Sequence, residues 1–458
     1  MKRTSPLKKL FEAPARALEE SVEIIDADTK ILINKEPFKL AEEYFNTLGP
    51  GLVTGAADDD PSGIATYSQV GATYGFQLLW LSLFSFPLMA TIQEMCARIG
   101  VVTGRGLAAN IRRHYSMEAL WVVCALLFAA NTLNIAADLG AMAASVQLLF
   151  PAVDMFFLVA VFALASMMLQ IFTTYSRYAK FLKWMTLALF SYVFTAFMVG
   201  LDWGDALRHT ILPSLSLQKD QLLLLCAVLG TTISPYLFFW QTAQEVEERH
   251  MAHDTRAKPR EKTFLSTTLK SDIRKMRIDV WSGMFFSNIV MFFIVAACAA
   301  TLYAHGVTSI KTAQDAALAI RPFGGQLTYI LFTIGIIGTG LLAIPILAGS
   351  SAYCIAESFG WQRGLYQKLT NAYAFYGVII VSMTIAVIAN IAHLDPIKML
   401  IYSAIGNGLV APVVLFFIVR ISSQLRHYKN TSFVSTIGWL TIGVMTISGI
   451  AAIASIFS

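Results

Sequence analysis

The chain has 458 residues, of which 56% are hydrophobic and 14% charged, and its mean hydropathy is +0.61. Soluble domains carry about 25% charged residues, so a soluble enzyme or binding module is excluded as the reading of the chain. The net charge of +5 is accounted for by membrane topology and calls for no nucleic-acid partner.

Residues 1–47 are of mixed charge with no continuous apolar core, which predicts a cytoplasmic N-terminal segment and no cleavable signal peptide. From Leu48 onwards, apolar runs recur that can each cross a hydrocarbon core about 30 Å thick at 1.5 Å per residue. They predict spans at Leu48 to Tyr74, Leu78 to Gly100, Met117 to Leu149, Met155 to Thr173, Tyr178 to Gly200 and Leu222 to Glu245. Five more follow at Val280 to Tyr303, Leu327 to Glu357, Ala372 to Asn390, Ile397 to Arg420 and Ile437 to Phe457. The fold class is an all-α integral membrane protein. A cytoplasmic N-terminus puts the basic residues on the cytoplasmic side: Arg105, Arg112 and Arg113, then Arg177 and Lys180, then the run from Arg249 through Lys258 and Arg260 to Arg277. Eleven spans then leave the C-terminus outside. The predicted location is the inner (plasma) membrane.

Two spans are interrupted five helices apart. The first is broken at Ala56-Ala57-Asp58-Asp59-Asp60-Pro61-Ser62-Gly63, the sixth at Gly230-Thr231-Thr232-Ile233-Ser234-Pro235. Matching breaks predict two inverted five-helix repeats, 48–200 and 222–420, followed by an extra helix at 437–457. Proline removes a backbone donor and disturbs the carbonyl four residues earlier, so each break frees oxygen near the bilayer centre, where it can bind a cation.

An Asp at mid-span costs about 2.5 to 3.5 kcal/mol on insertion scales, so Asp58, Asp59 and Asp60 cannot all face lipid. Successive helical residues lie about 100° apart, and Asp60, next to the break, is best placed to meet a cation. Asp59 and Ser62 are additional candidates along the metal path. Asp138, a lone acid in the third span, suits a proton or counter-charge path, or a pairing with Arg98. Glu94 and Glu245 are expected to snorkel at cytoplasmic ends, and Asn288 and Asn407 to tie helices together. The five cysteines, all in apolar runs, are expected to be packing residues.

Gly49-Pro50-Gly51, eight residues and then Asp60-Pro61-Ser62-Gly63 resemble the first-helix pattern of the natural-resistance-associated macrophage protein (Nramp) family of metal transporters. Gln69 to Trp80 and Ala97 to Gly104 are also similar, Ala137-Asp138-Leu139 resembles the third-helix acidic motif, and Thr231 to Tyr236 occupy the place of the sixth-helix motif. The resemblance implies the amino-acid-transporter-like bundle of two inverted repeats. It also implies a metal held by Asp60, by Gly63 where the family has Asn, by the carbonyl of Thr231 where it has Ala, and by Ser234 where it has Met. The family's sixth-helix histidines fall on Tyr236 and Gln241 and its third-helix Glu on Ala141, departures similar to those of the Nramp-related magnesium transporters.

The function expected is alternating-access transport of a divalent cation, manganese, iron or magnesium, with the metal as substrate and no cofactor. An ion-coupled carrier of a small organic solute and a cation channel are the alternatives. Intramembrane catalysis is not expected, since His-Glu-x-x-His and Gly-x-Ser-x-Gly motifs are absent. The expected partners are the metal ion and the lipid bilayer, with oligomeric state left open.

Overall fold

The computed structural model describes residues 48–214, 218–255, 262–308, 310–394 and 396–457, together with Tyr44. Apart from Tyr44, the segment 1–47 lies outside the described residues, as do Lys258 and Arg260. Contacts divide the chain after Leu48, and everything below concerns the unit Gly49–Ser458.

In chain order the helices are α1 (Pro50–Asp58), α2 (Pro61–Tyr74), α3 (Trp80–Thr103), α4 (Leu107–His114), α5 (Met117–Leu149), α6 (Met155–Phe172), α7 (Tyr175–Met185) and α8 (Phe190–Met198). They continue as α9 (Trp203–Ile211), α10 (Lys219–Thr232), α11 (Pro235–Thr255), α12 (Lys262–Thr301), α13 (Ala313–Phe359), α14 (Tyr373–Ile391), α15 (Pro396–Ser422) and α16 (Ser432–Phe457). Among the described residues, eight helical stretches are long and apolar enough to cross a membrane. The other three expected spans are helical too: the first is split into α1 and α2, the second is α3 and the tenth α15. The short α4 and α9 lie in connections.

Two spans extend beyond their apolar runs. Helix α12 begins at Lys262 where hydropathy predicts Val280, and α13 at Ala313 where it predicts Leu327. The second extension starts at a capping box, in which Thr312 and Asp315 satisfy each other's backbone N–H groups, and it bends at Gly325, whose φ of 83° suits glycine alone.

Helices α5, α13 and α15 form one packed wall, while α1 and α2 lie against α12. The approach of α1 to α12 depends on small residues: a Cβ on Gly51 would sit 2.6 Å from Val280 Cα, and Gly55 meets Gly283 in the same way one turn on. Backbones that touch leave no room for side chains, which is how membrane helices gain dispersion contact without a hydrophobic driving force.

Several expectations are corrected here. Cys124 and Cys354 are joined as a disulfide between α5 and α13, with Cα atoms 5.9 Å apart, whereas Cys96, Cys226 and Cys298 are free. Nothing in their spacing, 230 residues, signals the pairing. Arg98 does not meet Asp138; it lies 3.8 Å from Glu94 and donates to the carbonyl of Tyr428 at 3.3 Å. Glu94 and Glu245 do not snorkel, because both are buried and engaged within the protein. Glu94 accepts from Arg277 Nε at 3.1 Å and Trp281 Nε1 at 2.8 Å, and Glu245 accepts from Gln241 Nε2 at 2.9 Å.

Candidate functional site

The two breaks have the same construction. In each, a helix ends, two residues leave the α conformation, and the next helix starts on a proline: α1, Asp59-Asp60, then Pro61; α10, Ile233-Ser234, then Pro235. The residue after each first half has nearly the same backbone, φ −87° and ψ 49° at Asp59, φ −112° and ψ 57° at Ile233. Proline is tolerated there because the first helical N–H has no intrahelical acceptor to lose.

Asp60 is the N-cap of α2. Its Oδ1 accepts from Gly63 N at 2.7 Å and Ser62 Oγ at 2.6 Å, and its Oδ2 accepts from Asn134 Nδ2 of α5 at 2.8 Å. A carboxylate at a helix N-terminus is favoured by the helix dipole, which helps keep this charge inside the protein. Oδ1 thus takes two of these donors and Oδ2 one.

The other acids point elsewhere. Asp58 accepts from Ser287 Oγ of α12 at 3.3 Å, while both carboxylate oxygens of the fully buried Asp59 lack a hydrogen-bond partner. Among the described residues no three His, Cys, Asp or Glu side chains converge as metal ligands, so the three aspartates do not form one cluster. Asn134 links Asp138 to Asp60, since its Nδ2 also donates to Asp138 Oδ2 at 3.3 Å.

At the second break, Ser234 Oγ donates to the carbonyls of Gly230 at 2.9 Å and Thr231 at 2.7 Å, while Thr231 Oγ1 donates to Val228 O at 2.9 Å. The Tyr236 hydroxyl donates to Ala57 O at 2.9 Å and so ties α11 to the end of α1. A cavity of about 50 Å³ lies between the breaks. Asp60, Ser62, Thr231, Ser234 and Tyr236 line it from the breaks, and Asn134, Ser403 and Asn407 from α5 and α15. Among its described lining residues there is no cysteine or methionine. Asp59, Gly63, Asp138 and Gln241 do not line it; Gly63 contributes only its N–H to Asp60.

Sequence reasoning missed Asn134 and Ser403 and read Asn407 as a helix tie. A usable signal existed: Asn134 and Asp138 are four apart, as are Ser403 and Asn407, and that spacing puts both members of a pair on one helix face. Asn288 does act as a tie, accepting from Ser85 Oγ at 2.8 Å and donating to Met284 O at 2.9 Å. A larger cleft of about 380 Å³ lies by Glu247, Tyr353, Glu357 and Arg363. Its carboxylates are engaged: Glu247 accepts from Tyr353 and the backbone of Leu365, and Glu357 from Arg363 and the backbone of Ala109.

Residues 51–455 match the family model for natural resistance-associated macrophage protein-like chains, Nramp. The chain belongs to the Nramp family. As an Nramp protein it is a multi-pass membrane transporter and not an enzyme. It is 28% identical over 306 residues to the divalent metal cation transporter MntH of Erwinia tasmaniensis, covering 65% of this chain and 68% of that one. The MntH of Aeromonas hydrophila is 25% identical over 410 residues, 87% of this chain and 93% of that one. The manganese transporter of Eremococcus coleocola, solved with an aromatic bis-isothiourea compound, has a TM-score of 0.70 at 19% identity over 92% of this Nramp chain and 89% of its own. The nucleobase-cation-symport-1 transporter Mhp1, in a closed conformation, has a TM-score of 0.55 at 14% identity over 89% of this chain and 91% of its own. The fold is thus the transporter bundle with broken first and sixth helices.

Proposed function

We propose that this Nramp chain moves a divalent cation across the plasma membrane by alternating access, with Asp60 as the charged ligand in the cavity between the two breaks. The observation that carries the reading is a buried carboxylate lining a small cavity together with hydroxyl and amide groups. The curated relatives named above are divalent metal cation transporters, which points the same way. A cavity of about 50 Å³ has room for a cation and a few waters at roughly 10–15 Å³ each. Organic ligands occupy pockets of about 300–1,000 Å³, so the volume favours an ion over an organic solute.

In this reading Asp60 is the anionic ligand, Thr231 offers its carbonyl, Ser234 and Ser62 offer hydroxyls, and waters complete the shell. Hard oxygen ligands with retained waters suit magnesium and manganese, whereas soft sulfur would favour cadmium. That the described lining residues offer oxygen and no sulfur supports a magnesium-accepting branch. The cytoplasmic N-terminus, the outside C-terminus and the two inverted repeats, 48–200 and 222–420, complete the proposal; the like construction of the two breaks supports the repeats. Uptake by proteoliposomes, with manganese, magnesium and cadmium in competition, tests it. Mutual competition of magnesium and manganese is expected. Cadmium uptake that a large excess of magnesium leaves untouched would overturn the all-oxygen site.

A further inference from the structure

We propose that Asn407 sets the cation preference of this site by presenting its amide oxygen, Oδ1, to the bound ion from α15. The inference rests on the reading of the Asp60 cavity as the cation site and adds to it a ligand that sequence reasoning had assigned to helix packing. Asn407 is more than nine-tenths buried and lines the cavity, and its Oδ1 is buried without a hydrogen-bond partner. A buried amide oxygen left unpaired is costly, and such an atom in a native fold calls for a missing partner. A tie between helices would be satisfied, as Asn288 is through both of its side-chain atoms.

The neighbouring polar groups are engaged with other residues. One turn earlier on α15, the Ser403 hydroxyl is committed to Ala130 O at 2.9 Å. The Asn134 amide is committed to Asp60 and Asp138. On the helix-1 side, Gly63 has no side chain, so that turn gives the cavity no amide oxygen. Asn407 supplies one from the tenth span. It is a neutral, hard ligand, adding oxygen without adding charge, and it suits magnesium and manganese better than cadmium.

The test uses the full chain in detergent, with manganese, magnesium or cadmium chloride titrated calorimetrically, and with Asn407→Leu and Asn407→Asp compared with wild type. Leucine removes the oxygen; aspartate keeps an oxygen and removes the amide donor. Asn407→Leu should weaken manganese and magnesium binding about tenfold while cadmium changes much less, so that the ratio between cations moves. Asn407→Asp should bind manganese at least as tightly as wild type. A packing role would weaken all three cations alike in the leucine variant, and a donor role would weaken both variants; either result overturns the proposal, as does wild-type binding in both. If the leucine variant fails to insert, loss of manganese binding in Asn407→Asp alone overturns it. Asp60→Asn is the control for the underlying site: wild-type manganese binding there sinks the site itself, whatever Asn407 does.

Discussion

Helix α1 has no cap of its own, since Gly49 offers no side chain and Pro50 no N–H. The cap comes from Asp279 of α12, whose Oδ1 accepts from Gly49 N at 2.7 Å and Leu52 N at 3.0 Å and whose Oδ2 accepts from Gly51 N at 2.6 Å. Hydrogen bonds to charged groups contribute about 1.5–3 kcal/mol each, and orphaning one partner of a buried charged contact costs about 3–5 kcal/mol in total. Asp279→Ala leaves the buried N–H groups of Gly51 and Leu52 without acceptors, so we expect a loss of about 3–4 kcal/mol, local to α1. Asp279→Asn keeps one accepting oxygen and turns an amide donor towards an N–H, which should cost about 1.5–3 kcal/mol. At 1.36 kcal/mol per factor of ten, a loss of about 3–4 kcal/mol speeds amide exchange through local opening by roughly 10²–10³-fold. The assay is hydrogen–deuterium exchange in detergent, read on peptides covering 51–58, with α5 and α13 as internal references. The expected order is wild type slowest, Asn intermediate and Ala fastest. Unchanged exchange over 51–58 in Asp279→Ala would show that the Gly51–Val280 and Gly55–Gly283 approaches hold α1 without the cap.

Asp60→Asn should insert and fold but carry metal at background rate in proteoliposomes, because the isostere keeps the shape and loses the charge; normal uptake by a well-expressed variant would remove Asp60 from the site. Ser234→Met places a soft thioether at the break and should shift competition towards cadmium by about tenfold, and an unchanged ratio of cadmium to manganese would place Ser234 outside the ligand shell. A reporter at the C-terminus should be active outside the cytoplasm, and cytoplasmic activity would refute the count of eleven spans. Transport should be weakly coupled or uncoupled to protons, since Tyr236 and Gln241 stand where the family has histidine, the side chain that titrates near neutral pH. Metal-dependent acidification of a dye-loaded lumen, lost in Asp138→Asn, would make Asp138 the proton carrier.

The break in the first span was legible because three aspartates followed by a proline cannot cross lipid as an intact helix. The sixth was legible because Pro235 falls at the corresponding place. Helix starts were less so: a hydropathy window stops where the hydrocarbon does, and α12 and α13 continue as helices beyond it. Even there the Thr312-Ala313-Gln314-Asp315 capping pattern was a local signal for the start of α13. The far wall of the cavity was hidden for a different reason. A single polar residue in an apolar span has two common explanations, a tie or a ligand, and they separate only once neighbours are known. Asn288 and Asn407 look alike in sequence, yet one is satisfied through Ser85 and Met284 and the other keeps an unpaired oxygen.

The polar groups of the candidate site are largely engaged with one another, and that bears on how a carrier of this kind works. Asp60 already accepts from Ser62, Gly63 and Asn134, and the Thr231 carbonyl already accepts from Ser234. In the proposed reading an arriving cation enters no vacuum of bonding: it competes with Asn134 for Asp60 and displaces the Ser234 hydroxyl, whose oxygen can then turn to the ion. Exchange of one set of contacts for another keeps the net binding energy well below the sum of the ion's contacts, as with any hydrogen bond traded on folding. A transporter needs that moderation, because an ion held too tightly at mid-membrane does not leave. Deleting a resident donor should therefore strengthen binding and slow release: Asn134→Leu is expected to lower the manganese Kd while reducing the maximal rate of uptake. A higher Kd in that variant, with the fold intact by thermal unfolding, would mean that Asn134 orients Asp60 for the ion instead of competing with it.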